Sequence, residues 1–293
     1  MKILIPYRPS TGCMSTEHGL LIQEEDFRWK DTKGQYFGRR QEQDLIRGLT
    51  ALNKYSVHKH DIIVCIDSDM VPLPNWLSEY ENVSIFKSTF VVPEGVQDLY
   101  TATFLRYSNT VKESIMAQDD DELICYGYIC DIICSPGWDH EIYEAYKKWG
   151  NKAVYAPMWV EPRCPSNKNY NVTGQNVWNR ISGWRKDVCH CLIFPLKPEE
   201  DNEKIIKESE YLDWIKKATA NKSFADFYVE QCGLRALGYF TGICGHAKFL
   251  KEKIQTIEMG SGWDLVFESI LGTKIVLTKS FYFHVHHRFE FDL

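Results

Sequence analysis

The sequence predicts an α/β fold with a mainly parallel central sheet, and three observations support this class. Short apolar runs of strand length alternate with longer stretches of helical periodicity over most of the 293 residues. Such alternation is typical of a parallel sheet covered by helices on both faces. The chain is 44% hydrophobic and 14% aromatic, which is enough to bury a large core. Since no linker stands out, we expect one domain with a decorated carboxyl-terminal half.

The elements are expected in the following order. The chain opens on a strand at 2–7, continues in a long loop at 8–38, and forms a helix at 40–52 with apolar residues on one face. The next elements are strands at 61–66 and 84–92, a mixed or helical segment at 99–116, a strand at 123–133, and a helix at 138–148 begun by Ser135 and Pro136. The remainder comprises a strand at 153–159, a loop at 162–186, a strand at 190–196, helices at 208–219 and 223–237, a glycine-rich turn at 239–249, a helix at 262–271, a strand at 274–278 and a histidine-rich end.

The charge and the opening residues exclude some classes of protein. The net charge is -6 and no long basic run is present, so a face dedicated to a nucleic-acid backbone is not indicated. The chain begins directly with a strand rather than a signal peptide. No apolar run approaches the roughly 18 residues that cross a bilayer. We therefore expect a cytoplasmic protein without a membrane span, in the host cytoplasm if it is viral.

Most of the 10 cysteines lie inside apolar runs and are expected to be small buried hydrophobic residues in a reducing compartment. The stretch Cys189-His190-Cys191 has ligands suited to zinc. Because no second pair at ligand spacing accompanies it, a structural zinc site is the weaker interpretation.

Two carboxylates directly follow the apolar run at 61–66. Asp67 and Asp69 are separated by one residue, so both can reach one divalent cation, directly or through water. Their oxygens suit Mg²⁺ or Mn²⁺, and ligands bind at strand carboxyl ends in α/β sheets. The alternative is an acidic turn ahead of Pro72.

Three further stretches carry candidate chemistry. Asp131 ends another apolar run, where it is either a ligand or a satisfied strand-end carboxylate. Asp264 and Glu268 are four residues apart on a predicted helix, so they share a face, and a carboxylate there can act as a general base. His284 and His286 share one face of a predicted strand and can bind a metal or a phosphate. The alternatives are solvated acids on that helix and packed histidines on that strand.

Taken in order, these stretches resemble the nucleotide-sugar glycosyltransferases of the GT-A fold, in the large family-2-like group. The resemblance rests on "ILIPYR", "PGWDHEIYEAYKKWGNKAVYAP", "GHAKFLKEK", "GSGWDLVFESILGTKI" and "FHVHH", and covers about residues 1–160 and 239–293. It implies a single GT-A-like (Rossmann-like) domain over 1–293. Residues 1–160 would form the nucleotide-sugar-binding half and residues 161–293 the acceptor-side half.

The resemblance also implies an activity, a metal-dependent transfer of a hexosyl or pentosyl group from a nucleotide-diphosphate sugar, a UDP-sugar first of all, to a hydroxyl acceptor. A divalent cation, Mn²⁺ or Mg²⁺, stabilises the leaving diphosphate, and a carboxylate accepts the acceptor's proton. The residues expected around the nucleotide are Pro6, Tyr7, Arg8, Arg40, Asp67 and Asp69.

The metal and the base are assigned by the same resemblance. Asp131 stands where the family has its D-x-D motif, although Ile129-Cys130-Asp131 keeps only the last carboxylate. We expect Asp131 to hold the cation with His284 or His286, with Asp67 and Asp69 as the alternative metal pair. Asp264 is the expected catalytic base, with Glu268 one turn behind it.

Two other functions remain open on the sequence. A nucleotide-sugar-binding protein with a dead site is compatible with the reduced motif at Asp131. A nucleotidyltransferase should carry a glycine-rich basic loop after its first strand, of which "YRPSTG" is a faint version. The acceptor is either a glycan or, in a phage context, a modified DNA base. Four tryptophans are candidates for stacking on a sugar or an extruded base, with membership of the core as the alternative. They are Trp159, Trp178, Trp184 and Trp263.

Overall fold

The computed structural model describes residues 1–7, 37–66, 75–91, 93–95, 99–126, 132–163, 177–182, 185–197, 205–220, 243–254, 274–284 and 290–293. The helices are α1 Phe37–Tyr55, α2 Leu99–Met116, α3 Trp138–Trp149, α4 Glu208–Ala220 and α5 Ala247–Ile254. The strands are β1 Lys2–Pro6, β2 Asp61–Ile66, β3 Val83–Lys87, β4 Leu123–Tyr126, β5 Ile132–Cys134 and β6 Ala153–Arg163. They continue with β7 Val177–Ser182, β8 Arg185–Pro195, β9 Ile205–Lys207, β10 Ile243–His246, β11 Lys274–His284 and β12 Glu290–Asp292. Residues Asn75–Glu79 form a 3₁₀ helix.

The first of two compact units comprises Met1–Ile46, His60–Cys130 and Thr241–Leu271. Its strands lie in the order β3-β2-β1-β4-β10, where the first four are parallel and β10 is antiparallel to β4. Helix α2 packs against β1 and β2. The middle of β1 is inaccessible to solvent, which explains why its sequence is a continuous apolar run.

The second unit comprises Arg47–Lys59, Asp131–Phe240 and Gly272–Leu293. Strand β6 pairs in parallel with β8 and β11, while β5 is antiparallel to β11 and β7 is antiparallel to β8. Helix α3 packs against β6 and β11, and β9 pairs in parallel with β12. The rings that pack together between these elements are Phe194, Tyr211, Trp214, Phe281, Phe283 and Phe291.

The predicted α/β class with a mainly parallel sheet is confirmed by these pairings. Helix α1 is also where the apolar spacing predicts it, because Leu45, Leu49 and Leu52 are all buried on one face. The division into halves at residue 160 and the single domain stay predictions. No helix in the described ranges is long and apolar enough to cross a membrane.

Several predicted elements are wrong. The apolar run at 123–133 is two strands, β4 and β5, rather than one. The predicted loop at 162–186 contains the end of β6 and all of β7, and β8 begins at Arg185. The predicted glycine-rich turn at 239–249 contains β10 and the start of α5. The predicted helices at 223–237 and 262–271 lie outside the described residues.

Candidate functional site

The carboxyl ends of three parallel strands in the first unit form one edge of its sheet. Pro6 at the end of β1 is paired with Cys65 of β2, and the N–H of Tyr7 donates to the carbonyl of Cys65 at 2.9 Å. On the other side of β1, Leu4 is paired with Tyr126 at the end of β4. The strand order reverses at β1, since β2 and β3 lie on one side and β4 on the other. In open α/β sheets this reversal point is where ligands bind.

The residues predicted to bind the nucleotide divide into described and undescribed positions. Pro6 and Tyr7 lie at this carboxyl edge and are buried, with Tyr7 at 2% exposure. Arg40 lies in the first turns of α1. Asp67, Asp69 and Arg8 lie outside the described residues, and in sequence they come directly after β2 and Tyr7.

Glu113 of α2 accepts hydrogen bonds from the residues that directly follow strand β3, a role that the sequence analysis did not identify. Its carboxylate accepts hydrogen bonds from the Ser88 hydroxyl at 2.7 Å, the Thr89 N–H at 2.7 Å and the Thr89 hydroxyl at 2.8 Å. Burial raises the pKa of Glu113, but these bonds and one from the Phe90 N–H outweigh it and lower the pKa below its usual value. A Ser-Thr pair directly after a strand was the signal in the sequence, because hydroxyl and N–H donors there need an acceptor.

In the second unit, the pairing of β5 with β11 bears on the predicted metal ligands. His284 is the register partner of Ile132, the first residue of β5. Asp131 precedes Ile132 by one peptide bond and lies outside the described residues, as does His286. The backbones of two segments from distant parts of the sequence therefore meet at the amino end of β5.

The His284 side chain is half-buried and packs against an aromatic ring. The Trp159 and His284 ring centroids are 4.9 Å apart with the planes inclined by 42°. Trp159 is 8% exposed, so it belongs to the core of this unit and not to an open stacking surface. An imidazole can bind a divalent cation such as Mn²⁺, and the assignment of His284 as a metal ligand stays a prediction. The described residues contain no group of three or more acidic, histidine or cysteine side chains that could hold a metal ion.

Hydrogen bonds with α4 and β11 hold strand β5 and the residue after it in place. The hydroxyl of Tyr211 on α4 donates to the carbonyl of Ile133 at 3.3 Å. The Ser135 N–H donates to the carbonyl of Phe281 at 2.9 Å, and the Ser135 hydroxyl oxygen accepts from the Phe281 N–H at 2.9 Å. Ser135 therefore extends the β5 ladder, and the prediction that it caps α3 is wrong, because residue 137 occupies the cap position.

The turn at 136–137 and the first residues of α3 form hydrogen bonds with the end of α1 and the residues that follow it. Gly137 has φ of 73°, a left-handed conformation that favours glycine, and its N–H donates to the carbonyl of Tyr55 at 2.8 Å. The indole N–H of Trp138 donates to the Ser56 hydroxyl at 3.0 Å. These contacts explain the "PGWD" stretch as a structural clasp.

Asp139 completes this clasp. Its carboxylate is inaccessible to solvent and accepts the N–H groups of Val57 at 2.9 Å and His58 at 2.8 Å. Two backbone donors therefore satisfy a buried carboxylate, as burial requires. Asp139 is a structural residue even though it is part of the stretch that resembles the glycosyltransferases.

The remaining predicted positions lie partly within and partly outside the described residues. Asp264 and Glu268, the predicted catalytic carboxylates, lie outside the described residues, as do Trp184 and Trp263. Trp178 lies on β7, and the Cys189-His190-Cys191 stretch lies on β8. The predicted burial of free cysteines is confirmed for Cys65, Cys125 and Cys134. Burial raises the pKa of the Cys65 thiol to about 12, so it stays protonated and unreactive.

Comparison with known proteins gives a structural similarity without a sequence match. No protein-family model matches the sequence, and no curated protein matches it. A crystal structure of GalNAc-T7 with UDP, GalNAc and Mn²⁺ is similar at a TM-score of 0.48 and 11% identity. The alignment covers 97% of this chain and 43% of that chain, so the present chain spans less than half of that protein. No residue role is transferred from this similarity.

Proposed function

We propose that the protein is a metal-dependent glycosyltransferase that moves a sugar from a nucleotide-diphosphate sugar, a UDP-sugar first of all, to a hydroxyl acceptor. The observation that carries the proposal is the register of β5 and β11, which pairs His284 with Ile132. Paired strand residues have Cα atoms about 4.5–5.5 Å apart, and consecutive Cα atoms are about 3.8 Å apart. In the proposal, Asp131, which precedes Ile132 by one peptide bond in the sequence, binds the cation together with His284.

The donor is proposed to bind at the carboxyl edge of β1, β2 and β4. This edge contains the reversal of strand order at which α/β sheets bind ligands, and it contains Pro6 and Tyr7. Asp67 would accept a hydrogen bond from the nucleotide, and Arg8 and Arg40 would contact phosphate.

The chemistry at the sugar needs two further contributions. A divalent cation bound by Asp131 and one of His284 or His286 would stabilise the charge of the leaving diphosphate. Asp264 would accept the proton of the attacking hydroxyl as the new bond forms, with Glu268 one helical turn behind it.

The metal assignment makes a geometric demand on the chain. Register partners point to the same face of a sheet, and consecutive residues point to opposite faces. A ladder continued regularly past Ile132 would turn the Asp131 side chain away from the face that carries His284. The proposal therefore requires the chain to leave the strand path at Asp131. Binding by Asp67 and Asp69 makes no such demand and is the alternative that the experiment must separate.

The first experiment is calorimetric titration of Mn²⁺ in the presence of UDP. Replacing Asp131 by Asn or His284 by Gln should weaken Mn²⁺ binding by at least about 100-fold, because loss of a direct ligand exceeds the roughly 10–100-fold that outer partners contribute. His140→Gln is the matched control, an exposed histidine on α3 beyond the opposite end of β5. A loss confined to Asp67→Asn and Asp69→Asn would move the metal to the alternative pair.

The second experiment measures release of nucleoside diphosphate from a panel of nucleotide sugars with Mn²⁺. Asp264→Asn should bind the donor normally and lower transfer by about 10²–10⁴-fold, as expected for a missing general base. Binding of UDP and Mn²⁺ without turnover of any donor would indicate the binding protein instead. Release of pyrophosphate from a nucleoside triphosphate and a sugar phosphate would indicate the nucleotidyltransferase.

A further inference from the structure

We infer that the open edge of strand β3 is an interaction surface for a second copy of this chain, and that two copies pair their β3 strands antiparallel about a two-fold axis at Ile85. This inference is independent of the proposed function, because it rests on the sheet of the first unit alone. A two-fold contact brings the same surface of each copy together. One five-residue strand buries less than the roughly 1,000 Å² of a stable interface, so we expect a weak dimer that forms as the protein concentration rises.

Strand β3 is the end strand of its sheet. It pairs in parallel with β2, and in the described part of the chain no strand pairs with its other side. Ser84, Ile85 and Lys87 are exposed, and the apolar side chain of Ile85 is 42% exposed. An end strand of this kind presents N–H and C=O groups that can pair with a strand of another molecule.

The hydrogen bonds to β2 show which backbone groups of β3 point outward. The N–H of Ile62 donates to the carbonyl of Asn82 at 2.8 Å, and the N–H of Ser88 donates to the carbonyl of Ile66 at 2.8 Å. The backbone groups of successive strand residues alternate between the two sides of the strand. The even-numbered residues of β3 therefore direct their N–H and C=O groups to β2, and the odd-numbered residues direct theirs outward.

The outward groups match those of an antiparallel second copy. The N–H of Val83 donates to the carbonyl of Tyr80 at 3.2 Å, so the outward donors that remain on β3 are those of Ile85 and Lys87. When Ile85 faces Ile85 of the other copy, these residues exchange a pair of hydrogen bonds, and the N–H of each Lys87 reaches the carbonyl of Val83 in the other copy. The pairing uses both outward donors and leaves the Val83 N–H in its turn.

Charge favours this register over a shifted one. Glu79 and Glu81 precede β3, Lys87 ends it, and all of these side chains are exposed. Antiparallel pairing centred on Ile85 places the basic end of each strand beside the acidic segment that precedes the other strand. A register centred on Phe86 would instead bring the Lys87 side chains of the two copies to diagonal positions on one face, where they repel. A lysine often protects an edge from pairing, but in the inferred dimer it faces acidic residues.

Sedimentation velocity of the full chain at concentrations up to about 1 mM measures the dimer. Ile85→Lys places two lysines opposite each other and should weaken dimerisation by at least about tenfold. Val91→Lys is the matched control, because Val91 is 64% exposed in the segment that follows β3 and lies outside the strand. The control should stay within about twofold of the native protein, as is usual for a surface substitution.

Charge reversal tests the antiparallel arrangement and does not depend on the folding of Ile85→Lys. At low salt, Glu81→Lys and Lys87→Glu should each weaken dimerisation by about fivefold, because each leaves like charges facing across the dimer. The double variant restores opposite charges and should return to within about twofold of the native protein. Equal weakening in the single and double variants would contradict the inferred arrangement.

Backbone amide exchange, followed by NMR, locates the contact. The amides of Ile85 and Lys87 should exchange more slowly as the protein concentration rises, whereas the amide of Ser88, which donates to β2, should not change. A chain that is monomeric at about 1 mM, or a dimer that Ile85→Lys leaves intact, refutes the inference. Protection of the Ile85 amide in the monomer would show that another segment of the same chain covers the edge. Protection only after addition of an extended peptide would show a foreign strand there, and either result also overturns the inference.

Discussion

Replacing Glu113 by glutamine removes the charge from the carboxylate that holds the exit of β3. The structure gives this carboxylate three hydrogen bonds from Ser88 and Thr89, at 2.7, 2.7 and 2.8 Å. A hydrogen bond to a charged group contributes about 1.5–3 kcal/mol when buried, and less where solvent reaches it, as here. Glutamine keeps one carbonyl oxygen and can preserve part of the set. We therefore expect a loss of about 1–3 kcal/mol in the free energy of unfolding at pH 7.

The charge makes this loss dependent on pH. The pKa of Glu113 is raised by burial but lowered further by the donors around it, so its folded-state value lies below the unfolded one. A lowered folded-state pKa stabilises the fold above the unfolded pKa of about 4.3, and the effect disappears as pH falls through the folded value. The difference between the native protein and Glu113→Gln should therefore be full at pH 7 and should shrink as the pH falls below about 4.

Urea unfolding of the native protein and two variants at a series of pH values measures this difference. Glu144→Gln is the control, because Glu144 on α3 pairs with Lys147 at 2.7 Å on an exposed face. An exposed pair of this kind contributes about 0.5 kcal/mol or less. The reasoning is refuted if the two variants lose equal stability at pH 7, or if the loss in Glu113→Gln is the same at every pH.

Four further substitutions, which make three predictions, test the rest of the scaffold by denaturant unfolding. Asp139→Ala should lower stability by about 3 kcal/mol or more, because two backbone N–H groups in a buried site lose their acceptor, and a loss under 1 kcal/mol would contradict the clasp. Trp138→Phe and Ser56→Ala should show a coupling energy of about 1 kcal/mol in a double-mutant cycle, since they share one hydrogen bond, and additive effects would exclude it. Ser108→Ala should raise the free energy of unfolding by about 0.5 kcal/mol. The buried Ser108 hydroxyl has no hydrogen-bond partner among the described residues, and alanine favours a helix. A loss of stability would show that the hydroxyl is bonded.

Elements whose sequence signal is local could be predicted. Helix α1 is defined by three leucines at helical spacing, and β1 and β2 are apolar runs of strand length. At Gly245 the local sequence predicts a turn, and this prediction is wrong because Gly245 lies inside β10. A β-carbon there would lie 3.1 Å from the Leu250 side chain, which is tighter than ordinary van der Waals contact, so glycine suits the close packing of α5 on this strand. Close packing and a turn can both require glycine, so the sequence alone does not distinguish them.

Ser135 illustrates a second kind of failure, in which a distant partner replaces a local one. Serine before proline and a helical stretch is typical of a helix cap. Its hydroxyl instead accepts from the Phe281 N–H, 146 residues along the chain. Strand β11 therefore determines the role of Ser135, and nothing near residue 135 in the sequence indicates that pairing.

For the candidate site, the sequence indicates which residues have suitable donor atoms but not which of them lie close together. Residue type and motif order suggested Asp131 and His284 separately, because each has the right donor atoms for a divalent cation. The pairing of Ile132 with His284 depends on the register of β5 and β11, a long-range property that alternation of apolar residues does not encode. The packing of Trp159 on His284 depends on the same register and was equally inaccessible to the sequence.

Asp139 and Glu113 have structural hydrogen-bonding roles, which makes them poor candidates for metal ligands. Asp139 follows β5 in the sequence and Asp131 precedes it, and Asp139 lies within the described residues whereas Asp131 does not. The two oxygens of Asp139 are buried against backbone donors, and a cation there would have to displace both. Glu113 is likewise engaged by the loop after β3. A change of partner would break the hydrogen bonds that Asp139 makes to Val57 and His58 or those that Glu113 makes to Ser88 and Thr89. Asp67, Asp69 and Asp131 lie outside the described residues and stay the proposed ligands, so their substitution tests metal binding, whereas substitution of Asp139 tests the fold.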